Sequence, residues 1–462
     1  MTISPSFLRL HKLPLLLVLV SLLFYTSFAY DLVRTDYIKL IGLYLSLFFL
    51  FYKIVQIGKT NFKFLMYLAF AFRAVFILAI PNLSQDFYRF IWDGRMILEG
   101  INPYLNTVES FISRGVFPVS QAQELYDGMG TLNASHFTNY PPIKQLCFVL
   151  AGLVSGKSIL GSAIVLRLLI ITADFGILHF GKKLLESLQI PIHNIFWYIL
   201  NPFIIIELTG NLHFEGVMLF FLIWSLYLLH KDKWQLSALV FALSVSVKLI
   251  PLIFLPLLFQ WFVSKKDSSL LQRIFKLFGY YVIVGVTTIL LFLPFYSSEF
   301  ITNYTKTVAL WFQNFEFNAS LYYIAREIGY GFRGYNEIAY IGKYTALIVF
   351  TFVIIIALFR MNKTMVQLIT AMLIVLSFYF FTATTVHPWY IATLLLLSVF
   401  TRYKFPLVWS LVIILSYLAY LNINKADKSE NLLIIALEYI IVFGVLIWEI
   451  FGKASNLKKP TL

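Results

Sequence analysis

The chain has one cysteine, Cys147, and few charged residues. A lone cysteine excludes a disulfide within the chain and a metal cluster held by several thiolates. Only 13% of the 462 residues are Asp, Glu, Lys or Arg, whereas a soluble domain carries about 25% charge. Water is therefore not the main solvent of this protein.

Hydrophobic residues take the place of the missing charge, at 60% of the sequence and a mean hydropathy of +0.82. Many runs approach the roughly 20 residues that a helix needs to cross a hydrocarbon core. The sequence therefore predicts an all-α polytopic membrane protein, with one transmembrane domain over residues 1–462. The predicted spans lie near 13–30, 38–57, 63–80, 143–157, 159–181, 194–208, 214–231, 235–263, 276–296, 338–360, 364–383, 389–401, 405–422 and 432–451.

Two of these runs need comment. Arg9 and Lys12 precede the first run, which we expect to remain as an uncleaved signal anchor rather than be cut after Ala29. The run 235–263 is too long for one straight helix and contains Lys248 and two prolines. Because proline removes a backbone donor and kinks a helix, we predict a single broken span there.

The net charge of +14 comes mostly from Lys and Arg between the apolar runs. This pattern indicates topology signals and contact with anionic lipid rather than with nucleic acid. With the N-terminus inside, the inner segments include Lys53, Lys59, Lys157, Lys265, Arg273 and Arg360, in agreement with the positive-inside rule. Four lysines fall outside in this scheme, so one of the middle spans is open to reassignment: Lys182, Lys183, Lys231 and Lys233.

The same topology leaves two long segments on the outer face, residues 81–140 and 297–337. Segments of this length are usually functional or disordered. Together they hold most of the carboxylates, and their many aromatic side chains argue against disorder. We expect them to form short helices at the membrane surface.

The most informative stretch runs from Ser84 to Tyr104. On a helix beginning near Ser84, the side chains of Asp86, Arg89 and Asp93 form one polar stripe. A carboxylate at the mouth of a bilayer cavity is a candidate base for a sugar hydroxyl. The structural alternatives are that Asp86 complements the helix dipole and that Arg89 and Asp93 form an ion pair.

Polar residues inside apolar runs are either functional or structural. Arg167 and Asp174 are seven residues apart on one helix face, which favours pairing with each other or with a neighbouring helix. Glu207, His213 and Glu215 surround Gly210-Asn211, where an interrupted helix end is predicted. For these three residues, function and helix-to-helix hydrogen bonding are both open.

Several of these motifs resemble those of GT-C-type glycosyltransferases, most closely the bacterial mannosyltransferases that use polyprenyl-phosphate sugars. The resemblance rests on an ordered set of short motifs: Asp86-Phe87-Tyr88-Arg89, Trp92-Asp93-Gly94, Gly100-Ile101-Asn102-Pro103-Tyr104, Tyr140-Pro141-Pro142, Asn201-Pro202 through Glu215, Lys248 with Pro251 and Pro256, and His387-Pro388-Trp389-Tyr390. It implies a bundle of about 12–14 transmembrane helices with juxtamembrane helices on the outer face.

The resemblance also implies a function. It assigns Asp86 as catalytic base in an inverting transfer of a hexose, with mannose favoured, from a polyprenyl-phosphate sugar to a hydroxyl of a glycan or glycolipid. The other implied contacts to substrate are Tyr88, Arg89, Asp93, Tyr140, His213, Glu215, Lys248, His387 and Tyr390. Arg326 and Arg333 are further candidates to stabilise the leaving phosphate.

Family members often carry two neighbouring acids, whereas Gln85-Asp86 offers one, which favours a single base without a metal cofactor. The expected location is the inner (plasma) membrane, with the active site facing the periplasm. A flippase or transporter for a lipid-linked sugar is the main alternative, although no internal repeat supports it. A polysaccharide polymerase or ligase is the second.

Overall fold

The computed structural model describes residues 5–265, 268–313, 315–422 and 430–452. The predicted domain over 1–462 therefore includes short ranges that lie outside the described residues. Within the described part, the chain is built from helices, and the one β contact is an isolated bridge between Phe317 and Thr385.

The α-helices of the first half are α1 (Pro5–Tyr30), α2 (Tyr37–Gly58), α3 (Phe62–Val75), α4 (Asp86–Leu98), α5 (Val108–Ile112), α6 (Ala122–Ala134), α7 (Pro142–Ser155), α8 (Ile159–Ser187), α9 (Phe196–Ile199), α10 (Pro202–Ile204), α11 (Glu215–His230) and α12 (Trp234–Val247). The second half contains α13 (Leu258–Val263), α14 (Leu270–Phe292), α15 (Ser298–Gln313), α16 (Leu321–Arg333), α17 (Ile338–Phe359), α18 (Met365–Thr382), α19 (Ile391–Ser398), α20 (Phe405–Val412) and α21 (Leu432–Ile447). Turns of 3₁₀-helix lie at Ile192–Ile195, Ile250–Leu257, Leu293–Phe295, Pro388–Tyr390 and Ile413–Asn422, and π-helix at Ile205–Gly210 and Trp448–Gly452.

Seven helices of the described chain are long and apolar enough to cross a membrane: Lys12–Tyr30, Tyr37–Gly58, Ile159–Ser187, Leu270–Phe295, Ile338–Phe359, Met365–Thr382 and Leu432–Gly452. A pair bent by 49°, Ile192–Ile199 with Pro202–Gly210, brings the number to eight. The predicted all-α polytopic membrane class is confirmed. The predicted count of 12–14 spans stays a prediction, because it depends on shorter apolar helices of 10–17 residues.

The first outer segment, residues 81–140, folds into the three short helices α4, α5 and α6. The next helix, α7, packs against α4. Along α4, the ring of Phe90 stacks on Phe148 of α7 at 4.6 Å, and Leu98 lies on Gly152 one turn further along α7. The close approach requires Gly94, because a Cβ there would lie 2.3 Å from the carbonyl oxygen of Phe148. Both ends of α7 lie at the same end of the bundle, because Lys144 near its start is close to Asp86 and Ser155 at its end bonds Ser162 at the start of α8, whose other end reaches the start of α3. The prediction of a membrane span at 143–157 is therefore wrong.

The run 235–263 is also different from the prediction. Trp234 at its start and Trp261 near its end line one cavity, whereas Lys248 in its middle contacts Glu215 at the far end of α11. The chain therefore runs up α12, turns at Lys248 and returns through Ile250–Val263. The predicted single broken span is wrong, because the extended backbone at Lys248 (φ −157°, ψ 137°) and Pro251 turn the chain back.

The changed paths of 143–157 and 235–263 move the loop after α8 and the loop between α11 and α12 to the opposite side of the membrane from the one predicted. We call the two ends of the bundle the Asp86 end and the Trp261 end. Asp232 pairs with Lys265, so the loop carrying Lys231 and Lys233 lies at the Trp261 end with the other basic loops. At the start of α3, the Phe62 ring lies 5.1 Å from the Lys182 ammonium, which places the end of α8 there as well.

Lys157 follows α7 and lies at the Asp86 end, although the sequence placed it inside. The hydroxyls of Ser155 and Ser162 are 2.7 Å apart, which holds the start of α8 beside the end of α7. Lys182, Lys183, Lys231 and Lys233 thus lie at the Trp261 end with Lys265 and Arg273, whereas Lys157 moves to the Asp86 end. Four basic residues join the inner side and one leaves it, so the positive-inside pattern becomes more consistent.

The buried charges inside the bundle are structural. Asp174 accepts a hydrogen bond from Nε of Arg73 on α3 at 2.7 Å, and both side chains are fully buried. Arg167 donates to the carbonyls of Thr209, Gly210 and Ile77 at 2.8, 3.0 and 2.9 Å. The predicted pairing with neighbouring elements is confirmed, and Arg167 satisfies the carbonyls that the interrupted helix leaves open.

Candidate active site

Asp86 is the first residue of α4 and is only partly buried. Its backbone amide donates to the Ser84 hydroxyl at 3.3 Å, and the side-chain amide of Asn133 donates to Oδ1 at 3.3 Å. Among the described residues, no cationic group lies within 4 Å of the carboxylate. Its position also complements the helix dipole, as the structural alternative requires.

The electrostatic surroundings of Asp86 are mixed. Burial raises the pKa of the Asp86 carboxyl above its ordinary value, although the ammonium groups of Lys144 and Lys248 oppose the rise. The carboxylate of Glu215 adds to the increase in pKa, and Arg34 opposes it. A carboxylate with a raised pKa is a better proton acceptor when ionised, which suits a general base.

Lys144 faces this carboxylate from α7, where its ammonium is surrounded by aromatic rings. The ring centroids of Tyr140, Phe90, Phe214 and Phe148 lie 4.0, 4.7, 5.6 and 6.0 Å from Nζ. Ring faces attract a cation without neutralising it. Among the described residues, no carboxylate lies within 4 Å of Nζ, so no ion pair neutralises the ammonium. Burial lowers the pKa of Lys144 to about 8, and an anionic ligand would stabilise its charged form.

Lys248 provides the second ammonium of the cluster. It forms an ion pair with Glu215, the first residue of α11, and its Nζ lies 4.1 Å from the Tyr390 ring centroid. The break between α12 and the following 3₁₀-helix places Lys248 at this end of the bundle. Asp86, Glu215, Lys248, Tyr140 and Tyr390 are thus brought together as the sequence predicted.

The backbone before α11 is strained at a buried position. Leu212 is fully buried and has φ of +63°, a left-handed conformation that costs a non-glycine residue about 1–3 kcal/mol. It connects the π-helix Ile205–Gly210 to α11 and directs His213 toward Glu207, with Nε2 and Oε2 3.8 Å apart. Tyr417 donates to the other oxygen of Glu207 at 2.7 Å. Strain and π-helix both concentrate at functional sites.

A stack of flat side chains forms one wall of the site. Trp389 lies between two imidazole rings, with centroid distances of 3.6 Å to His213 and 4.6 Å to His387. The other face of His387 lies against Phe317, at 5.3 Å. His387 is therefore at the site, as predicted, but within a stack rather than as an isolated interfacial residue.

The second outer segment reaches the site through a short backbone pairing. The amide of Phe317 donates to the Thr384 carbonyl at 3.1 Å, and the amide of Val386 donates to the Phe317 carbonyl at 2.9 Å. These two bonds place Phe317 on His387. Both outer segments thus contribute to one site.

Arg89 and Asp93 point away from this cluster into the first outer segment. Nε of Arg89 donates to Asp93 at 2.9 Å, and its NH1 donates to the carbonyls of Asn133 and His136, each at 2.9 Å. Gln145 donates to the second oxygen of Asp93 at 3.1 Å. Both charged side chains are buried, at 2% and 0% exposure, so the predicted contacts of Arg89 and Asp93 with substrate lack an open surface. Their structural alternative, an ion pair, is what the structure shows.

Three other predicted residues also contact protein groups elsewhere. The ring of Tyr88 covers Gly128 of α6, where a Cβ would lie 2.7 Å from ring carbons. Arg326 pairs with Glu316 and Glu327, and Arg333 pairs with Glu337. The structure does not bring these three side chains into the cluster around Asp86.

Sequence reasoning missed Lys144, Trp389 and Asn133 as site residues. Lys144 was hidden in an apolar run taken for a span, although a lysine inside such a run is itself a signal of function. Trp389 was quoted in a motif and interpreted as an interfacial anchor. Asn133 lies in a polar stretch without a recognisable motif.

The described residues contain no group of three His, Cys, Asp or Glu side chains positioned to hold a metal ion. An open cavity of about 400 Å³ lies between the two outer segments. Its lining residues are Leu105, Phe137, Ser298, Glu299, Thr302 and Asn303.

Residues 25–264, which are 240 of the 462 residues, match the N-terminal domain of the family described as alpha-(1->6)-mannopyranosyltransferase, MptA_B. The chain belongs to this family. The matched part of the mannopyranosyltransferase domain includes Asp86, Lys144, His213, Glu215 and Lys248, whereas the His387 motif lies beyond it.

Two relatives agree with the family. GPI mannosyltransferase 1 of Kluyveromyces lactis is 34% identical over 107 residues, 22% of this chain and 26% of that protein. Alpha-(1->6)-mannopyranosyltransferase A of Mycobacterium tuberculosis is 22% identical over 186 residues, 40% of this chain and 34% of that protein. The matches thus span about a quarter to a third of the length of these relatives.

Proposed function

We propose that this mannopyranosyltransferase family member transfers mannose from a polyprenyl-phosphate donor to an acceptor hydroxyl, with inversion at the anomeric carbon. The observation that carries the proposal is the cluster at the Asp86 end. Within the described chain, the Asp86 carboxylate has no ion-pair partner, and the Lys144 ammonium contacts aromatic rings but no carboxylate. Family membership supports a mannosyltransferase. The polyprenyl-phosphate donor is what the resemblance implies, and an ammonium at this site suits the phosphate of such a donor.

In the proposed reaction, Asp86 accepts the proton of the acceptor hydroxyl as its oxygen attacks the anomeric carbon. The new bond joins that oxygen to the sugar, and the bond between the sugar and the phosphate oxygen breaks. Its electron pair leaves with the lipid phosphate. A positioned general base contributes about 10²–10⁴-fold to such a step.

The developing charge on the phosphate needs cationic groups placed in advance. Lys144 and Lys248 supply them, and the rings around Lys144 exclude water that would weaken the attraction. Glu215 forms its ion pair with Lys248, and it acts on Lys144 from beyond ion-pair distance. The stack centred on Trp389 forms a rigid wall beside these groups.

We propose that the acceptor enters through the cavity of about 400 Å³ between the two outer segments. Phe137 offers a ring face for a sugar, and Ser298 and Thr302 offer hydroxyls for hydrogen bonds. Phe137 lies four residues after Asn133, whose side-chain amide donates a hydrogen bond to Asp86. We place this end of the protein on the outer side of the inner membrane, because the basic loops lie at the other end.

The test is transfer of mannose from synthetic polyprenyl-phosphate mannose by the purified protein, with Asp86→Asn beside wild type. We expect the variant to lose about 10²–10⁴-fold in kcat. Asp127→Asn, which changes an exposed acid of the same outer segment, is the matched control and should keep full activity. Undiminished transfer by Asp86→Asn would remove Asp86 from the mechanism.

Two further measurements address the alternatives. Movement of the lipid-linked sugar across proteoliposomes without a new glycosidic bond would identify a flippase instead. Transfer that survives chelation of divalent cations would support chemistry without a metal, which we favour because a single acid occupies this position. Transfer that stops on chelation and returns with added cation would contradict it.

A further inference from the structure

A carboxyl group buried within a membrane span lies outside the residues proposed to transfer the sugar. Glu438 is fully buried on α21, within the span Leu432–Gly452. Its side-chain partners in the described chain are an indole and an amide, and neither carries a positive charge. An isolated carboxylate is expensive to bury in a bilayer, so an ionisable residue at such a position needs an explanation.

The hydrogen bonds of Glu438 leave two oxygens unsatisfied. Its Oε1 accepts from Nε1 of Trp409 on α20 at 2.9 Å and from Nδ2 of Asn318 at 3.2 Å. Oε2 of Glu438 and Oδ1 of Asn318 are both buried, and neither has a hydrogen-bond donor among the described residues. Because one hydrogen bond already joins the two groups, a single proton between the remaining oxygens would satisfy both.

We propose that Glu438 is protonated and that its O–H donates to Oδ1 of Asn318. Acid and amide then exchange two hydrogen bonds, N–H to Oε1 and O–H to Oδ1, in one closed ring. The proton removes a buried charge from α21 and leaves neither oxygen without a partner.

The backbone of Asn318 is held as closely as its side chain. Its amide donates to both carboxylate oxygens of Glu430 at 3.0 and 3.1 Å, and its carbonyl accepts from the Tyr439 hydroxyl at 2.7 Å. Its φ of +46° is left-handed, a conformation that asparagine adopts more readily than most residues other than glycine. These contacts fix the second outer segment to α21 at one residue.

The acid–amide pair lies next to the stack that lines the site. Phe317 precedes Asn318, and its ring lies on His387 at 5.3 Å. Glu438 is therefore a positioning residue, because it acts on the stack through Asn318 and Phe317. This role rests on the proposed transferase function, whereas the proton on Glu438 does not.

The proton is tested by infrared absorption of the purified full-length chain. The difference spectrum between wild type and Glu438→Gln should contain the carbonyl stretch of a protonated carboxyl group. Glu449→Gln is the matched control on the same helix, and it should leave this band unchanged, because backbone amides donate to both oxygens of Glu449. A difference spectrum without the band would overturn the proposal and would identify an ionised carboxylate, bridged to the amide by water.

The positioning role is tested by mannosyl transfer and thermal unfolding. Glu438→Gln has an N–H in place of the acid O–H, so it should keep both hydrogen bonds, kcat and Tm. Glu438→Leu keeps the approximate size and removes the bonds, and it should lower kcat about 10–100-fold at a temperature well below its Tm. A fall in kcat for Glu438→Gln as large as that for Glu438→Leu would overturn the pair.

A double variant exchanges the acid and the amide. Asn318→Asp alone places two acids face to face and should lower both Tm and kcat. Asn318→Asp with Glu438→Gln again places one acid opposite one amide, and both quantities should recover. A double variant no better than Asn318→Asp would contradict the pairing. Failure of wild type to transfer mannose would remove the proposed function, while the infrared band and the recovery of Tm would still decide the pair.

Discussion

At the scale of single residues, Lys144 is the side chain whose surroundings most restrict its role. Four rings enclose its ammonium, and the described chain offers it no carboxylate within 4 Å. A lysine kept only for stability would gain more from an acidic partner, because isolated charge is expensive to bury. Its arrangement is better explained by an anionic ligand.

We therefore expect Lys144→Gln to lower kcat for mannosyl transfer by about 10²–10³-fold, as for other groups that stabilise a developing anion. Lys157→Gln, an exposed lysine just after α7, should leave kcat unchanged. The measurement is steady-state kcat for both variants and wild type. A kcat for Lys144→Gln equal to that of wild type would exclude this ammonium from the reaction.

The same variant has a second readout in its pH profile. Because burial raises the pKa of Asp86, the acidic fall in kcat/KM should begin above the pH of an ordinary carboxyl. Lys144 opposes the rise, so its removal should raise the pKa of Asp86 further and move the acidic limb to higher pH. An acidic limb that stays at the same pH in Lys144→Gln would contradict the coupling.

Sequence reasoning could reach Asp86 because it stands in a recognisable motif at a helix start. For Lys144 it offered only the general signal of a lysine inside an apolar run, because the surroundings of that lysine depend on α7 packing against α4. Phe90 and Phe214 approach Lys144 from far apart in the sequence. No local pattern encodes such a cage.

At the scale of elements, the contact of α4 with α7 positions Asp86 opposite Lys144. Gly94→Ala would place a methyl group 2.3 Å from the Phe148 carbonyl, and the two helices would have to separate. Overpacking of this kind costs about 1–3 kcal/mol. We expect a lower Tm and a lower kcat in Gly94→Ala, measured by thermal unfolding in detergent and by transfer assay.

The control is Gly42→Ala on α2, where an added Cβ meets no atom within 4 Å. Alanine also favours helix more than glycine, so this variant should be neutral or slightly more stable. Unchanged Tm and kcat in Gly94→Ala would show that the close approach of α4 and α7 is not required.

The Arg89–Asp93 pair fastens α4 to the rest of the first outer segment. Arg89→Met leaves a buried carboxylate without its partner and should cost about 3–5 kcal/mol of stability. The double variant Arg89→Met with Asp93→Leu should recover part of the loss in Tm. Arg114→Met, at an exposed arginine of the same segment, should change Tm little.

These variants also separate the structural role from the substrate contact that the sequence predicted. If Arg89 only fastens α4, the double variant should regain transfer activity together with stability. A recovered Tm with a strongly raised KM would show instead that Arg89 contacts the substrate.

At the scale of the whole molecule, the polytopic helical class could be predicted from composition because it depends on average hydrophobicity. The path of the chain between residues 143 and 263 could not be predicted in this way. The run 143–157 packs within the outer segment, and the run 235–263 is a hairpin rather than one span. One predicted crossing is lost at 143–157 and one is gained at 235–263. The total number of crossings is therefore unchanged, and the loops after residue 263 keep their predicted sides.

This path predicts which loops share a side. Single cysteines at positions 127, 157 and 233 can be compared with an impermeant thiol reagent in a Cys147→Ser background, since Cys147 is buried and is the single native cysteine. We expect Asp127→Cys and Lys157→Cys to react from one side and Lys233→Cys from the other. Reaction of positions 127 and 233 from the same side would restore the path predicted from sequence.

The packing of α7 on α4 has a consequence for how the protein is synthesised. The 14-residue helix α7 is mostly apolar, yet it carries Lys144 and Gln145, and both its ends lie at the Asp86 end rather than on opposite sides. If this segment were inserted as a crossing during translation, every later helix would enter the membrane in reverse. The orientation of the remaining two thirds of the chain thus depends on whether this one short segment is inserted as a membrane crossing during translation.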